Sequence, residues 1–438
     1  MLLAESAVWA VGALEHLMVL ARVGAQQGVY GMSILKMAFL AAVVCSFAEG
    51  GAAVYHVNCK TGDDSNNGLT ASAAFKTFKK AASVLAPGDV LELASGVAFH
   101  ETLVMKSSGT PQNPIVIRGN GAVISGLKPV PDGSWKEVKA GLWLSANGVR
   151  RGADLPRVLD RSGTWRSVGG STPDKTNPES LKPGEALWNR DGIWFRPEDG
   201  RKPQDYGLHG FYRNNGFEIT GKSYITVHDL VCEHNANDGF NVHGCCAGLV
   251  FRNIEARYNG DDGFSVHEDV QANVYGGFFH HNDFGIQDIA ASQSSFCGVT
   301  VVSNRLHGVE LLGGMRIIRD SVIRGNAFGQ IRIRGDVVKY MGWDVANPLF
   351  KSRAYLERVT VGPGEGAALS VFSNAEVAVS DCTFSGTDRG VTASGNAMLH
   401  LVKTKIHGCR KEPLVKQPGS TVVETACEIA SHRCSDPK

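Results

Sequence analysis

From residue 216 onward the chain alternates apolar and polar positions in short runs, and the runs return at a nearly fixed interval. Gly-Phe-Asn-Val-His at 239–243, Gly-Phe-Ser-Val-His at 263–267, Gly-Ile-Gln-Asp-Ile at 285–289 and Gly-Val-Glu-Leu-Leu at 308–312 carry the two-residue period of a half-buried strand. A second apolar run follows in each interval, at 248–254, 272–278 and 296–302. Glycines recur at Gly216, Gly239, Gly263, Gly285, Gly308 and Gly329, with gaps of 23, 24, 22, 23 and 21 residues. Asparagines recur just ahead of them, at Asn235, Asn259, Asn282, Asn304 and Asn326, with gaps of 24, 23, 22 and 22. An interval near 22 residues holds two or three short strands and their turns. That is one coil of a parallel β-helix, in which stacked coils bury a continuous core. The Leu-x-x-Leu-x-Leu frame of leucine-rich repeats is missing. The asparagine positions suit turns that visit left-handed backbone, with side chains able to form ladders. Gly366 and Gly390, 24 residues apart, predict that coils resume after an interruption near 336–353.

The front of the chain predicts a cap. Tyr55-His56-Val57 reads as a first strand and 61–68 as a turn. Phe75, Phe78, Ala82 and Leu85 share one face of a short helix that can plug the open end of a solenoid. Residues 128–215 break the coil pattern and hold five of the seven tryptophans, Trp135, Trp143, Trp165, Trp188 and Trp194. A hairpin around Asp191-Gly192 marks this stretch as a β-rich insertion. Its tryptophans either form a small core of their own or offer one or two rings to a sugar. The expected division is an upstream extension and signal peptide (1–53), cap and first coils (54–127), insertion (128–215), β-helix repeats (216–411) and a C-terminal tail (412–438).

Charge and composition narrow the function. Lys plus Arg is 44 against 43 for Asp plus Glu, so the basic excess of a nucleic-acid binder is absent. Lys36, the apolar run 37–47 and the small residues through Ala53 make up an export signal, with cleavage near Ala48 or Ala53. The run is too short to span a bilayer, so no integral membrane segment is expected in the mature chain, which would be periplasmic or extracellular. An exported chain can form disulfides, and Cys427 with Cys434 is the best local pair. No CxxC pair is present, and structural zinc is not expected.

Aligning the coils on their asparagines places Asn241, Ser265, Asp288, Glu310 and Arg332 six positions on, and His243, His267, Ala290, Leu312 and Arg334 eight positions on. Phe240, Phe264 and Val309 fall at alternate, inward positions, so both named sets should face outward. With coils about 4.8 Å apart, His243 and His267 should stack on an exposed strand face. Asp238, Asp261, Asp262 and Glu268 crowd the turns beside them. Stacked imidazoles next to several carboxylates should have shifted proton affinities. The catalytic candidates are His243, His267, Asp262, Asp238 and Asp288. Asn241, Glu268, Glu310, Arg332 and Arg334 are the substrate-binding candidates. No cofactor is required, and Asp261 with Asp262 could hold a calcium ion.

The order Thr-Gly-Asp-Asp-Ser-Asn-Asn-Gly (61–68), Phe-Lys-Thr-Phe-Lys-Lys-Ala (75–81), Pro-Gly-Asp-Val-Leu-Glu-Leu (87–93), Gly-Thr-Pro-Gln-Asn-Pro-Ile-Val-Ile-Arg-Gly (109–119) and Ala-Val-Ile-Ser-Gly (122–126) resembles the N-terminal part of β-helix polysaccharide lyases and their relatives of pectin-lyase-like fold. It covers roughly 54–126, and the coils extend it to about 410. The resemblance implies an all-β, right-handed parallel β-helix and a polysaccharide partner, acidic if the lyase chemistry holds. Proton abstraction by a histidine, with β-elimination or C5 epimerisation of a uronate, is the first expectation. His267-Glu268-Asp269 behind Asp261-Asp262 is similar to uronate epimerases and lyases. An alternative is a glycoside hydrolase. Asn237-Asp238-Gly239, Gly260-Asp261-Asp262 and Arg332-Ile333-Arg334 resemble motifs of polygalacturonase-type enzymes, although Phe284-Gly285-Ile286 stands where those have Gly-His-Gly. Carboxyl groups on adjacent coils could supply the spacing of about 6.5–9.5 Å that an inverting hydrolase uses. A non-catalytic envelope protein that binds glycan along its groove is a third reading.

Overall fold

The computed structural model describes residues 51–146, 158–167, 177–211, 213–335 and 351–430. The export-signal residues up to 50, and Cys434, lie outside the described residues. Among the described residues no helix is long and apolar enough to cross a membrane.

The architecture follows from the short alternating runs, because each can bury one face only by stacking on its neighbour. Strand Val54–Val57 pairs in parallel with Val90–Leu93, and that strand with Ile115–Arg118. Helix α1 (Phe78–Val84) is capped by Thr77, whose side chain accepts from the Lys80 amide, and it buries Phe78, Ala81 and Ala82 against the first coils. Phe75 lies ahead of the helix and is buried in the same core.

Two parallel sheets run the length of the solenoid, one of 20 strands and one of 10. The strands of the 10-stranded sheet that matter below are β1 (Phe217–Thr220), β2 (Phe240–His243), β3 (Asp262–Val266), β4 (Phe284–Ile289), β5 (His307–Leu312) and β6 (Gly329–Arg334). Phe217, Phe240 and Phe264 stack inside at centroid spacings of 6.0 and 6.2 Å, and Val309 joins them in one continuous core. Coils do resume after 350, with Ala367–Phe372 pairing onto β6.

The recurring glycines and asparagines have one physical cause. Asn235 opens a ladder in which Asn259, Asn282, Asn304 and Asn326, all buried, each accept at Oδ1 from the amide and side-chain nitrogens of the asparagine one coil earlier. Gln330 ends the series, because its side-chain oxygen accepts from Asn326. A Cβ on Gly216, Gly239, Gly263, Gly285 or Gly308 would stand 2.5–2.9 Å from the Nδ2 of that ladder. These glycines are therefore demanded by close approach. The turns at the asparagines do visit left-handed backbone, and they do so at the residue before each one, His234, Tyr258, His281, Ser303 and Gly325.

The stretch between the first two strands of the 10-stranded sheet carries two antiparallel sheets. Leu103–Val104 pairs directly with β1, so the coils close around the departure point of the insert. Ala186–Asn189 and Gly192–Phe195 form the hairpin, and Trp135, Trp188, Phe195 and Tyr206 share a separate small core.

Candidate active site

Strand register sets which side chains share the outer face of the 10-stranded sheet. The middle outward column reads Glu218, Asn241, Ser265, Gln287, Glu310 and Arg332. Asp288 is not in it. Asp288 is paired in register with Val266 and Leu311 on the inward side and is fully buried. Inside, its Oδ1 receives Arg316 Nη2 at 2.7 Å and the Ser292 hydroxyl. The cause is a coil one residue shorter between its asparagine and its glycine: Asn282 precedes Gly285 by three residues, whereas Asn259 precedes Gly263 by four. The same slip puts Ile289, not Ala290, in register with Leu312. Asp288 is accordingly removed from the outward candidates.

The remaining catalytic candidates, His243, His267, Asp238 and Asp262, converge around β2 and β3. His243 and His267 stack with centroids 4.3 Å apart and planes 3° from parallel. The expected exposed face is corrected: His267 is buried, as are Asn241, Ser265, Gln287 and Glu310 in the column beside it, while the His243 side chain retains 34% exposure. Ser265 Oγ bridges His267 Nε2 at 2.9 Å and Asp262 Oδ2 at 2.7 Å. His243 Nδ1 faces Glu268 Oε1 at 3.5 Å, and the other Glu268 oxygen accepts from the Gly244 amide. Burial, with the adjacent His243 second, pushes the pKa of His267 down to about 3, so this ring is neutral at neutral pH.

At the leading edge of these strands Asp238, Asp261 and Asp262 bring carboxylate oxygens within 4.8 Å of one another. That is tighter than the separation of about 6.5–9.5 Å that an inverting hydrolase needs. Asp238 accepts from the side chains of Asn237 and Asn241 and, at 3.1 Å, from the Asp262 amide. Asp262 is buried and its Oδ1 has no hydrogen-bond partner. Burial first, then Asp261 and Asp238, holds its carboxyl well above the usual carboxylate range. An oxygen with no partner, crowded by two more carboxylates, fits a divalent cation held by oxygen ligands.

Two coils along the same face the charge reverses. Glu310 is set against Arg332 Nε at 3.2 Å and Arg334 Nη1 at 3.5 Å. His307 lies beside them, with Arg332 Nη1 3.0 Å from its Nε2. The sequence reading missed His307. Its signal was its place just ahead of a coil glycine, shared with Asp238, Asp262 and Phe284.

These features define a right-handed parallel β-helix with a polar, chemically loaded sheet face. Residues 215–340 match the family model described as "Right handed beta helix region". Among solved structures, XylC in complex with xylose is 15% identical over 85% of this chain and 69% of that one, with a TM-score of 0.51. A glycoside hydrolase is 12% identical over 86% and 97% of the two chains, with a TM-score of 0.48. The pectate lyase Pel9A is 14% identical over 87% and 78%, with a TM-score of 0.44. At 15% identity the likeness to XylC concerns the fold alone. No curated protein matches the sequence.

Proposed function

We propose that the protein acts on a uronic-acid-containing polysaccharide laid along the outer face of the 10-stranded sheet, by proton abstraction leading to β-elimination or C5 epimerisation. One observation carries this reading: a stacked histidine pair with one half-buried member beside a three-carboxylate cluster that has a partnerless buried oxygen. Structural neighbours that include a pectate lyase and a glycoside hydrolase belong to the same coil architecture.

His243 is the base. Its Nδ1 is turned to Glu268, which leaves Nε2 to take the proton from C5 of the sugar. His267, held neutral behind it, adds no positive charge that would oppose protonation of His243. Loss of the C5 proton leaves charge on the C6 carboxylate. Elimination then breaks the C4–O bond and the leaving oxygen takes a proton, whereas re-protonation of C5 from the opposite face gives the epimer. Asp238, Asp261 and Asp262 would hold a calcium-like ion, which supplies positive charge to neutralise the uronate carboxylate. Arg332 and Arg334 bind acidic groups further along the chain, and Asn241 and Glu310 border the same track. The same proposal places the protein outside the cytoplasm, where such glycans are met.

A second reading rests on Asp262 alone. A carboxyl that keeps its proton can protonate a glycosidic oxygen, with Asp238 or Asp261 as nucleophile, which is the chemistry of a retaining hydrolase, whose carboxyl groups stand about 5–5.5 Å apart. Purified protein incubated with polygalacturonate, alginate and neutral glycans separates the two. Ultraviolet absorbance of unsaturated product, lost in His243→Ala and in chelator and restored by calcium, supports the first. New reducing ends without that absorbance, lost in Asp262→Asn but kept in His243→Ala, support the second. Full activity in both variants removes this site.

A further inference from the structure

We propose that His307, Phe328 and the side-chain-free position Gly329 form a sugar-ring subsite two coils beyond the carboxylate cluster, where His307 donates from Nδ1 to an oxygen of the ring. This rests on the reading that a glycan lies along this sheet face.

The tautomer of His307 follows from its neighbour. Arg332 Nη1 lies 3.0 Å from His307 Nε2, and a guanidinium only donates, so Nε2 is the acceptor and the imidazole proton resides on Nδ1. Burial and the nearby Arg332 and Arg334 push the pKa of the ring down to about 4, which keeps it neutral. The resulting Nδ1–H is buried and has no hydrogen-bond partner. Native structures rarely leave such a donor unpaired, and a ligand oxygen would satisfy it.

The surroundings are shaped for that oxygen. Gly329 is in register with His307 and has no left-handed backbone angle, so its conformation does not demand glycine. A Cβ there would stand 2.9 Å from His307 Nδ1, so any side chain at this position would press on the donor edge. Phe328 is 68% exposed and stands edge-on to the imidazole at 5.7 Å, with Phe284 stacked at 6.0 Å on the other side. An exposed aromatic face beside one fixed donor is the chemistry that takes the apolar face and one oxygen of a pyranose. Glu310 answers two guanidinium groups, so one positive charge is in excess and an anionic sugar is favoured. With coils about 4.8 Å apart, the subsite lies roughly 10 Å from Asp262, within the reach of one bound oligosaccharide.

The test uses the full chain with ¹⁵N-labelled histidine and two probes, hexagalacturonate and neutral xylohexaose, with the His307 signals assigned through His307→Gln. We expect the Nδ1–H tautomer in the free protein and a shift of that resonance on adding hexagalacturonate, with xylohexaose binding at least tenfold more weakly. Phe328→Ala and Gly329→Val should each raise the Kd for hexagalacturonate tenfold or more. Phe328→Ala should leave the unfolding midpoint unchanged, so its loss of binding is not a loss of fold. An Nε2–H tautomer, or an unchanged Kd in both variants, overturns the subsite. If wild type still processes polyuronate in that case, the functional reading stands without it. If wild type neither binds nor processes either probe class, the functional reading falls and the subsite with it.

Discussion

Arg316 is the largest side chain fully enclosed in the solenoid, and its removal gives a sharp test of how the interior is held. Its Nη2 bonds Asp288 Oδ1 at 2.7 Å and Ser292 Oγ at 2.6 Å, and neither ionic side chain has measurable exposure. Arg316 Nε, Arg316 Nη1 and Asp288 Oδ2 have no hydrogen-bond partner, so the pair is incompletely satisfied. Replacing Arg316 with methionine keeps the bulk but strands a buried carboxylate. Breaking such a pair costs about 3–5 kcal/mol, whereas replacing both members with apolar residues of similar volume is neutral or stabilising by about 1–4 kcal/mol. Urea unfolding followed by circular dichroism should therefore show a large drop for Arg316→Met. The double variant Arg316→Met, Asp288→Leu should recover to wild type or beyond. Because Asp288 points inward, the double variant should also retain its activity on whatever glycan wild type processes. A single variant within about 1 kcal/mol of wild type, or a double variant no better than the single, would refute this account of the interior.

Three further outcomes follow from the same packing. Asn282→Ala deprives the Asn259 amide of its acceptor and leaves the Asn259 side-chain nitrogen with the Cys232 carbonyl alone, and two orphaned buried N–H groups at about 1–3 kcal/mol each should lower the urea midpoint accordingly. Phe264→Ala, at a fully buried ring, should cost about 3–5 kcal/mol by the same measurement. His307 is held near pKa 4 in the fold against about 6.5 when unfolded, so the unfolded chain takes up a proton first as the medium is acidified. Its contribution, at most about 3 kcal/mol, is fully present above pH 6.5 and lost as pH falls from there towards 4; His307→Gln should flatten that part of the stability profile, and an unchanged slope would count against the assignment.

The coil was legible because close approach forces glycine at one point of every turn and a buried ladder forces asparagine nearby. Those constraints act on identity, so they leave a period in the chain. Counting six residues from the asparagine found the outward positions Asn241, Ser265, Glu310 and Arg332 but carried Asp288 to the wrong face, because after Asn282 the strand is reached one residue sooner and Gln287 takes the outward place. The histidine pair survived because both His243 and His267 lie four residues after a coil glycine. Arg316 was hidden for a different reason. In the run Met315-Arg-Ile-Ile-Arg319, alternation alone does not say whether Arg316 or Ile317 turns inward, and the space for a guanidinium comes from Ala272 and Ser294 on the two preceding coils. The burial of His267 was equally invisible, since period-two patterning assigns a face but not what lies over it.

The asparagine ladder also bears on how such a chain can lengthen. Each rung from Asn259 to Asn304 presents the same socket to the coil before it and the same plug to the coil after it. An in-frame duplication of one coil within that span would meet compatible bonding at both junctions and extend the track by about 4.8 Å, roughly one sugar's worth of new surface. Beyond Gln330 the socket is closed, because its side chain folds back onto the rung it terminates. Heritable growth of the groove is thereby channelled into the segment that carries the histidines and carboxylates, while the later coils are free to diverge without a template.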